Sequence, residues 1–579
     1  MKKALIIIAV VLIVVFAVVL VAMRSMKAFT GRTAASIDKP SVLSIDLSRE
    51  YPERSTFDFS RFNFSMKRET NFLGLIKAVE EAGRDDKIRA ISLKIDGVGL
   101  SSSQFDEFAK AIDGFKESGK PVYAFMPSAG MGDLRAGCLA DSLFMSPVSD
   151  FMLMGMAIMP MFFAGTAEKL GVGFDIIQMG EYKGVGEMFT EKALTEPLRE
   201  NYTSLLDALF DGWLDFVSAR RGISSEDLAR YVDMGTFDAV DGFGMGLIDG
   251  IVYPQEYRER ILSLVEDDDD RIVSISRYHS LKKPLSGKRK IAVIYCLGNI
   301  HSGKSQDSPF SRSFSIGDET FTKAIGDAAD DDDIEAILLR VDSPGGSALA
   351  SDFIWKSILD ARKKKPVLVS MGGVAASGGY YISMGADSIF CEQNTITGSI
   401  GVVFMKIHAQ GLMEKVGITV DGITRGEFAD DFAIHKPMDA HAYEAFTRMS
   451  EKTYEIFTTK AAEGRGMAHE ELLAVAGGRI WTGNQAVEAG LVDRIASFSE
   501  AIDATAKMVD IPRNELGIIT YPREKGFWEI AFELRANPPL SSVLPEPIEK
   551  AISPVIDMIT LFRPNEILAL MPVVVITDR

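Results

Sequence analysis

The chain has 579 residues, more than a single hydrophobic core usually serves, so two or more folded units are expected. Its composition is that of a globular protein, 47% hydrophobic and 25% charged, and 63 basic against 81 acidic residues leave a net charge of -18. A surface of that sign repels nucleic acid, and the cysteines Cys138, Cys296 and Cys391 are too few and too scattered for a disulfide framework or a zinc site.

The first feature along the chain is an apolar run from Ala4 to Met23, preceded by Lys2 and Lys3 and closed by Arg24 and Lys27. At about 1.5 Å per residue such a run spans the roughly 30 Å hydrocarbon layer as a helix. It is longer than the apolar part of most removable secretory signals, and no Ala-x-Ala type cleavage site follows. Residues 1–30 are therefore expected to be an uncleaved anchor that meets the bilayer through residues 4–23. Basic residues flank both ends, so the positive-inside rule leaves the orientation open.

After the anchor the chain repeats itself. Ile91-Ser-Leu-Lys-Ile-Asp96 recurs as Ile337-Leu-Leu-Arg-Val-Asp342, at an offset of 246 residues; Lys120-Pro-Val recurs at Lys365, at 245; Ala140-Asp-Ser recurs at Ala386, at 246. Gly180-Glu-Tyr returns as Gly426-Glu-Phe, at 246, and Gly246-Leu-Ile-Asp249 as Gly490-Leu-Val-Asp493, at 244. The first half reads as strand Ile91 to Ile95, helix near Gln104 to Phe115, then strand Pro121 to Phe125; the second as strand Ala336 to Val341, helix Ala348 to Ala361, then strand Pro366 to Ser370. Strands joined by helix-length crossovers imply parallel pairing with helices packed outside, an α/β architecture. The expected division is an N-terminal repeat over 40–252, a charged connector over 253–290, a C-terminal repeat over 291–505 and an extension over 506–579. The runs Asp267 to Asp270 and Asp330 to Asp333 lack the alternating ligands and turn glycine of a calcium loop and read as solvated segments. No metal or cofactor is expected. In the tail, Ile567 to Ile576 is too short for a second span and is broken by Pro572, so a buried strand or a partner contact is expected there.

The residues that suggest chemistry lie in the second half. In Val369-Ser-Met-Gly-Gly-Val-Ala-Ala-Ser377-Gly378-Gly-Tyr-Tyr a serine follows a strand-like run among residues too small to cover it, and a helix-like Tyr380 to Met384 comes next. A hydroxyl at such a corner is exposed to substrate while neighbouring backbone N–H groups face a developing oxyanion. Upstream, Asp342-Ser-Pro-Gly345-Gly346 ends a strand with two glycines whose bare backbone can approach a carbonyl closely. Each motif alone reads as a tight turn; both fall at strand ends, where parallel sheets usually build their sites.

A serine nucleophile needs a base. The six histidines, His279, His301, His408, His435, His441 and His469, form no recognisable pattern with an acid, although spacing does not exclude one brought from a distance. The alternative is a lysine kept neutral by burial. Lys183 lies in Gly180-Glu-Tyr-Lys-Gly-Val-Gly, and taken singly it reads as a surface lysine. The repeat changes this reading. Ala429 stands opposite Lys183, and Met131 or Gly132 stands opposite Ser377, depending on which anchor is counted from. Each half holds one member of a pair and lacks the other, as a single site spanning both halves would require.

At these residues the sequence resembles the long, tandem-repeat bacterial form of the signal peptide peptidase A family, over roughly Ser41 to Ala504. The resemblance implies a crotonase and Clp protease type of fold (a ββα superhelix), duplicated in tandem after an N-terminal transmembrane helix. It implies Ser377 as nucleophile, Lys183 as general base, oxyanion donors around Gly345, Gly346 and Gly378, and, within Thr-Gly-Ser-Ile-Gly-Val, Ser399 as a residue that holds the lysine amine. It further implies a homotetramer at the bacterial inner membrane with its catalytic body facing the periplasm, acting on signal peptides left behind after export. The first half departs from the family pattern with Asp96-Gly-Val-Gly, and the chain after about Pro522 matches nothing in it. Two other readings stay open on the residues alone: an acyl-CoA hydratase or thioesterase on a crotonase-like scaffold, and a non-catalytic membrane scaffold that binds peptides.

Overall fold

The computed structural model describes residues 37–54, 70–265, 271–281, 285–305, 314–522, 567–572 and 576–577. The anchor expected over residues 4–23 and the run Asp267 to Asp270 lie outside them; among the described residues no helix is long and apolar enough to cross a membrane.

The first half is built on a parallel sheet in the order Ile272–Ser274, Ser41–Asp46, Ile88–Lys94, Val122–Met126, Ser142–Met145 and Gly250–Ile251. The second repeats the plan with Leu516–Tyr521, Arg289–Leu297, Ile334–Ser343, Val367–Ala376, Ser388–Cys391 and Arg494–Ile495, again parallel. Aliphatic residues on both faces of the central strands lie between the sheet and its helices, as expected of doubly covered parallel strands. The expected crossover helices are Ser102–Lys116 and Ala348–Arg362. Each begins on a serine, Ser101 or Ser347, whose hydroxyl accepts a first-turn N–H. The charged stretch after Tyr253 is more than a connector. It forms helix Pro254–Leu262 and then strand Ile272–Ser274 at the edge of the first sheet, because Ile261, Leu262, Val265 and Val273 among its charges are buried.

The repeated polar residues explain why the repeat survives. Lys120 Nζ donates to the carbonyls of Ala82 and Gly83 at the end of helix Phe72–Arg84, and Lys365 Nζ to the Ala328 carbonyl in helix Asp318–Asp330. Asp141 accepts the Val122 N–H, and Asp387 the Val367 N–H, both at 2.8 Å. Asp249 accepts from Leu143 N–H and is bridged by Arg221; Asp493 accepts from Ile389 N–H and is bridged by Arg465. Each pair ties a strand end to its neighbour in the same way, so losing either partner would orphan backbone groups.

A third sheet joins the halves: Ser315–Gly317, Asn299–His301, Gly345–Ser347, Leu568–Leu570, Val402–His408 and Gly173–Met179, in that order. Its last strand comes from the first half and Leu568–Leu570 from the tail, so the apolar segment after Ile567 is indeed a buried strand.

A buried ion cluster also crosses the boundary. Arg340 of the second half is fully buried and lies 2.8 Å from both Glu53 and Glu107 of the first, with its remaining N–H groups on Ser370 Oγ and the Met371 carbonyl. Burial pushes the Glu107 carboxyl up to about 7, and the guanidinium opposes that rise. Removing the cation alone would strand two carboxylates in the interior. Arg340→Met is therefore expected to lower unfolding stability by about 3–5 kcal/mol, read from the denaturant midpoint. A loss under 1 kcal/mol would mean that the cluster does not hold the halves together.

Candidate active site

Strands Val367–Ala376 and Ile396–Gly398 run in parallel, with Ala376 opposite Gly398. One residue beyond each strand end stands a serine, Ser377 and Ser399, with φ of 54° and 51°. For residues with a Cβ that region is costly and is held by surroundings. Here Ser377 N–H donates to the Gly398 carbonyl at 2.8 Å, and Ser399 N–H to the Arg479 carbonyl at 2.7 Å. Both turns are thereby locked. Ser377 also caps the short helix Gly378–Ser383, the strand-to-helix corner expected from the sequence.

Lys183 reaches this corner because strand Gly173–Met179 pairs antiparallel with Val402–His408 over its whole length, ending with Met179 beside Val402. The chain then turns through Gly180 to Gly184, where Tyr182 N–H donates to the Gly477 carbonyl at 2.9 Å. Asn201, on helix Glu196–Arg221, holds the neighbouring strand through both its amide groups: Nδ2 donates to the Ile480 carbonyl and Oδ1 accepts the Ile480 N–H. The outcome is a lysine with no exposed surface whose Nζ lies 2.7 Å from Ser377 Oγ, 2.7 Å from the Ser399 carbonyl and 3.0 Å from Ser399 Oγ. Burial alone holds its amine well below the usual lysine range. A neutral amine offers two N–H donors and one lone pair. The two Ser399 oxygens take the donors, and the lone pair is left facing the Ser377 hydroxyl.

Gly345 and Gly378 meet closely: a Cβ built on Gly345 would fall 2.6 Å from Gly378 N, and one built on Gly378 would fall 2.9 Å from Gly345 Cα. The expectation that Gly345 lends an N–H needs correction, because that N–H donates to Ser343 Oγ at 3.2 Å. Gly345 contributes space instead, at a φ of 103° that a side chain would strain. Gly378, as the first residue of its helix, has no intrahelical acceptor for its N–H. Gly346 follows in the same strand.

All six residues singled out in the sequence thus belong to one locality, to which the first half brings Lys183 and the second half Ser377. Aligned on helix starts, the first-half residue opposite Ser377 is Gly130, the cap of Met131–Gly137; residue counting misplaced it by one or two because the offset there is 247, against 245 at Lys120 and 246 at Ala140. Ala429 lies in an exposed turn, where the second half forms no strand matching Gly173–Met179. Histidines are engaged elsewhere: His301 with Ser315 Oγ, and His469 with Thr458 Oγ1. Sequence reasoning missed Gly401 and Gly478. A Cβ on Gly478 would fall 2.6 Å from Lys183 N, and one on Gly401 3.1 Å from Lys183 Cδ. The Gly477-Gly478 pair was visible, but nothing in the sequence tied it to Lys183.

The profile of peptidase family S49 matches the chain twice, over residues 114–266 and 360–512, once in each half. The chloroplastic serine protease SPPA of Arabidopsis thaliana is 32% identical over 83% of this chain and 71% of its own length. Protease 4 of Haemophilus influenzae is 28% identical over 76% of this chain and 74% of its own. Among solved structures, a ClpP1 mutant from Listeria monocytogenes overlaps 37% of this chain and 94% of its own at 17% identity, with a TM-score of 0.24.

Proposed function

Because the chain belongs to peptidase family S49 and is a serine protease of the tandem kind, we propose that it cleaves peptides with Ser377 as nucleophile and Lys183 as general base. The observation that carries this reading is the 2.7 Å approach of a fully buried lysine amine to the serine hydroxyl. In the first step neutral Lys183 takes the Ser377 proton as Oγ adds to the peptide carbonyl carbon. Backbone N–H groups of Gly346 and Gly378 hold the resulting oxyanion. The protonated amine, steadied by both Ser399 oxygens, then gives its proton to the leaving nitrogen. Water, deprotonated by the same amine, finally releases the acyl group from Ser377. The hydratase and thioesterase reading is set aside by the family, and a peptide-binding scaffold without turnover would leave Ser377 unmodified.

Ser377→Ala is the direct test: mass spectrometry of peptides incubated with wild type and variant is expected to find products only with wild type, and a fluorophosphonate to label only wild type. The same products from both would remove Ser377 from the reaction. For Ser399→Ala, loss of one hydrogen bond of about 1 kcal/mol should lower kcat roughly fivefold with KM unchanged. An unaltered kcat would leave the Ser399 carbonyl as the sufficient partner.

The apolar run over residues 4–23 supports an anchored enzyme, with the crotonase and Clp protease type of body on the periplasmic face of an inner membrane. A relative from Enterococcus faecium, 33% identical over 39% of this chain, is named a putative signal peptide peptidase, which supports remnant signal peptides as substrates. Assembly as a homotetramer belongs to the same reading. Fractionation with a high-salt wash, then protease treatment of spheroplasts, tests the placement: release into the wash or protection from the protease contradicts it.

A further inference from the structure

The strand that ends in Ser377 is irregular. Val367–Ala376 pairs with Ile334–Ser343 in steady register from Val367 beside Ile337 to Met371 beside Val341, and the next pair is Ala375 beside Ser343. Between those two pairs stand Gly372, Gly373 and Val374 on one strand and only Asp342 on the other. The strand of the nucleophile thus carries a bulge of two extra residues, whereas the matching strands of the first half pair without a break from Ile91 beside Val122 to Lys94 beside Phe125. Chain lengths agree. Lys120 to Gly130 is 130 minus 120, or 10 residues, and Lys365 to Ser377 is 377 minus 365, or 12, so the half with the nucleophile is longer by two.

Extra residues leave backbone groups outside the ladder. Asp342 meets them: Oδ1 accepts the Val374 N–H at 3.1 Å and Oδ2 the Gly373 N–H at 3.4 Å. Thr395 Oγ1, which accepts the Glu392 N–H, donates to the Gly372 carbonyl at 2.8 Å. Gly372 leaves room for the carboxylate, since a Cβ there would fall 2.9 Å from Asp342 Oδ2 and 3.0 Å from Asp342 Cβ. Past the bulge Val374 pairs with Ile396, and the strand continues in that register to Ala376 beside Gly398. Asp96, the counterpart of Asp342 in the first half, is exposed.

Asp342 stands three residues before Gly345, and Val374, which it holds, stands three residues before Ser377. Without the two extra residues the strand would bring Ser377 to its corner short by roughly 7 Å. The carboxylate therefore ties the turn of Gly345 and Gly346 to the turn of Ser377. A tetrahedral adduct is bonded to one turn and held through its oxyanion by the other, so it feels their separation more than a bound peptide does.

We propose that Asp342 is a positioning residue for the reaction: by holding the bulge at Gly372 and Gly373 it sets the distance from Ser377 Oγ to the Gly346 backbone donor. This rests on the assignment of Ser377 and its oxyanion donors, and it adds the side chain that keeps them in register.

A reversible peptide aldehyde, which adds to Ser377 Oγ and forms a tetrahedral hemiacetal, reads that distance; the same peptide bound to a Ser377→Ala background reads the ground state. Burial, then the charge of Glu53, push the Asp342 carboxyl up to about 6, so at pH 8 both its oxygens accept. Asparagine keeps the shape but offers one acceptor oxygen and turns a donor toward the other N–H. At pH 8 Asp342→Asn is expected to lower kcat and aldehyde affinity together by roughly thirtyfold, with KM and ground-state binding changed by about twofold at most. Thr395→Val, which frees the Gly372 carbonyl, should move the same two quantities in the same direction by about fivefold, and it stands in should Asp342→Asn not fold. Asp387→Asn is the control, because it loosens the far end of the same strand, where Asp387 accepts the Val367 N–H at 2.8 Å. It should lower the unfolding midpoint and keep wild-type aldehyde affinity. Wild-type aldehyde affinity in folded Asp342→Asn or, failing that, in Thr395→Val overturns the proposal, as does a fall in ground-state binding as large as the fall in kcat, or an equal loss of aldehyde affinity in Asp387→Asn. An aldehyde that binds wild type no better than Ser377→Ala would instead refute the assignment of Ser377, and the proposal with it.

Discussion

Lys183→Met is expected to lower kcat/KM by about 10⁴-fold while leaving the folded protein as stable as wild type, or more so, at pH 7. Both effects come from one cause. The amine has the ordinary value of 10.5 when the chain is unfolded, and burial holds it well below that in the folded protein. Between those two values the unfolded state binds a proton that the folded state does not, so stability rises with pH across the interval and the full cost is felt below it. Methionine, similar in length and apolar, removes that cost along with the catalyst. It also gives up the bonds to the Ser399 carbonyl and hydroxyl, which offsets part of the gain. The difference in unfolding midpoint between variant and wild type should therefore shrink as pH approaches 10.5. Activity of the wild type follows the same titration in the same direction: kcat/KM should climb as pH rises through the lowered value, because only the neutral amine can accept the Ser377 proton. A pH profile that falls over that range, or a variant keeping more than a tenth of wild-type activity, would exclude Lys183 as the base.

How much of this was legible follows from which interactions are local. The Ile, Leu and Val runs around Ile91 and Ile337 announce parallel strands because both faces of those strands are covered, and the Lys120 and Lys365 matches announce the repeat because each amine caps a helix of its own half. The Ser377 corner could be read because a hydroxyl set among glycines and alanines is itself a local pattern. Lys183 was legible only through the duplication, since its burial depends on Ser399, Gly401 and Gly478, all more than 200 residues away. The bonded N–H of Gly345 could not be seen, because it depends on the rotamer of Ser343. The tail strand was anticipated as buried, yet its neighbours, Gly345–Ser347 and Val402–His408, are fixed by pairing between distant segments. Such pairing leaves no periodic trace.

Gly478 offers the sharpest check that the lysine's position, beyond its presence, matters. Its φ is 83°, and an added Cβ would fall 2.6 Å from Lys183 N and 2.7 Å from both Lys183 Cα and Cβ. The first two are backbone atoms that no rotamer change can withdraw. Relief must come from moving the turn at Gly180 to Gly184, which Tyr182 N–H ties to the Gly477 carbonyl. A displacement near 1 Å carries Nζ out of its 2.7 Å contact with Ser377 Oγ, and misplacement of that size costs about 10²-fold in rate. Gly478→Ala should thus lower kcat/KM and the rate of fluorophosphonate labelling together by about 10²-fold, with a stability loss of about 1–3 kcal/mol from the positive φ. Gly222→Ala separates the two effects. Gly222 caps helix Glu196–Arg221 at a φ of 67° with nothing within 4 Å of an added Cβ, so it carries similar backbone strain without a clash. It should lose comparable stability and keep its activity. If both variants lose activity equally, the loss follows from weakened folding rather than from the lysine's place. If Gly478→Ala alone loses it, a glycine of the second half sets where the base of the first half sits.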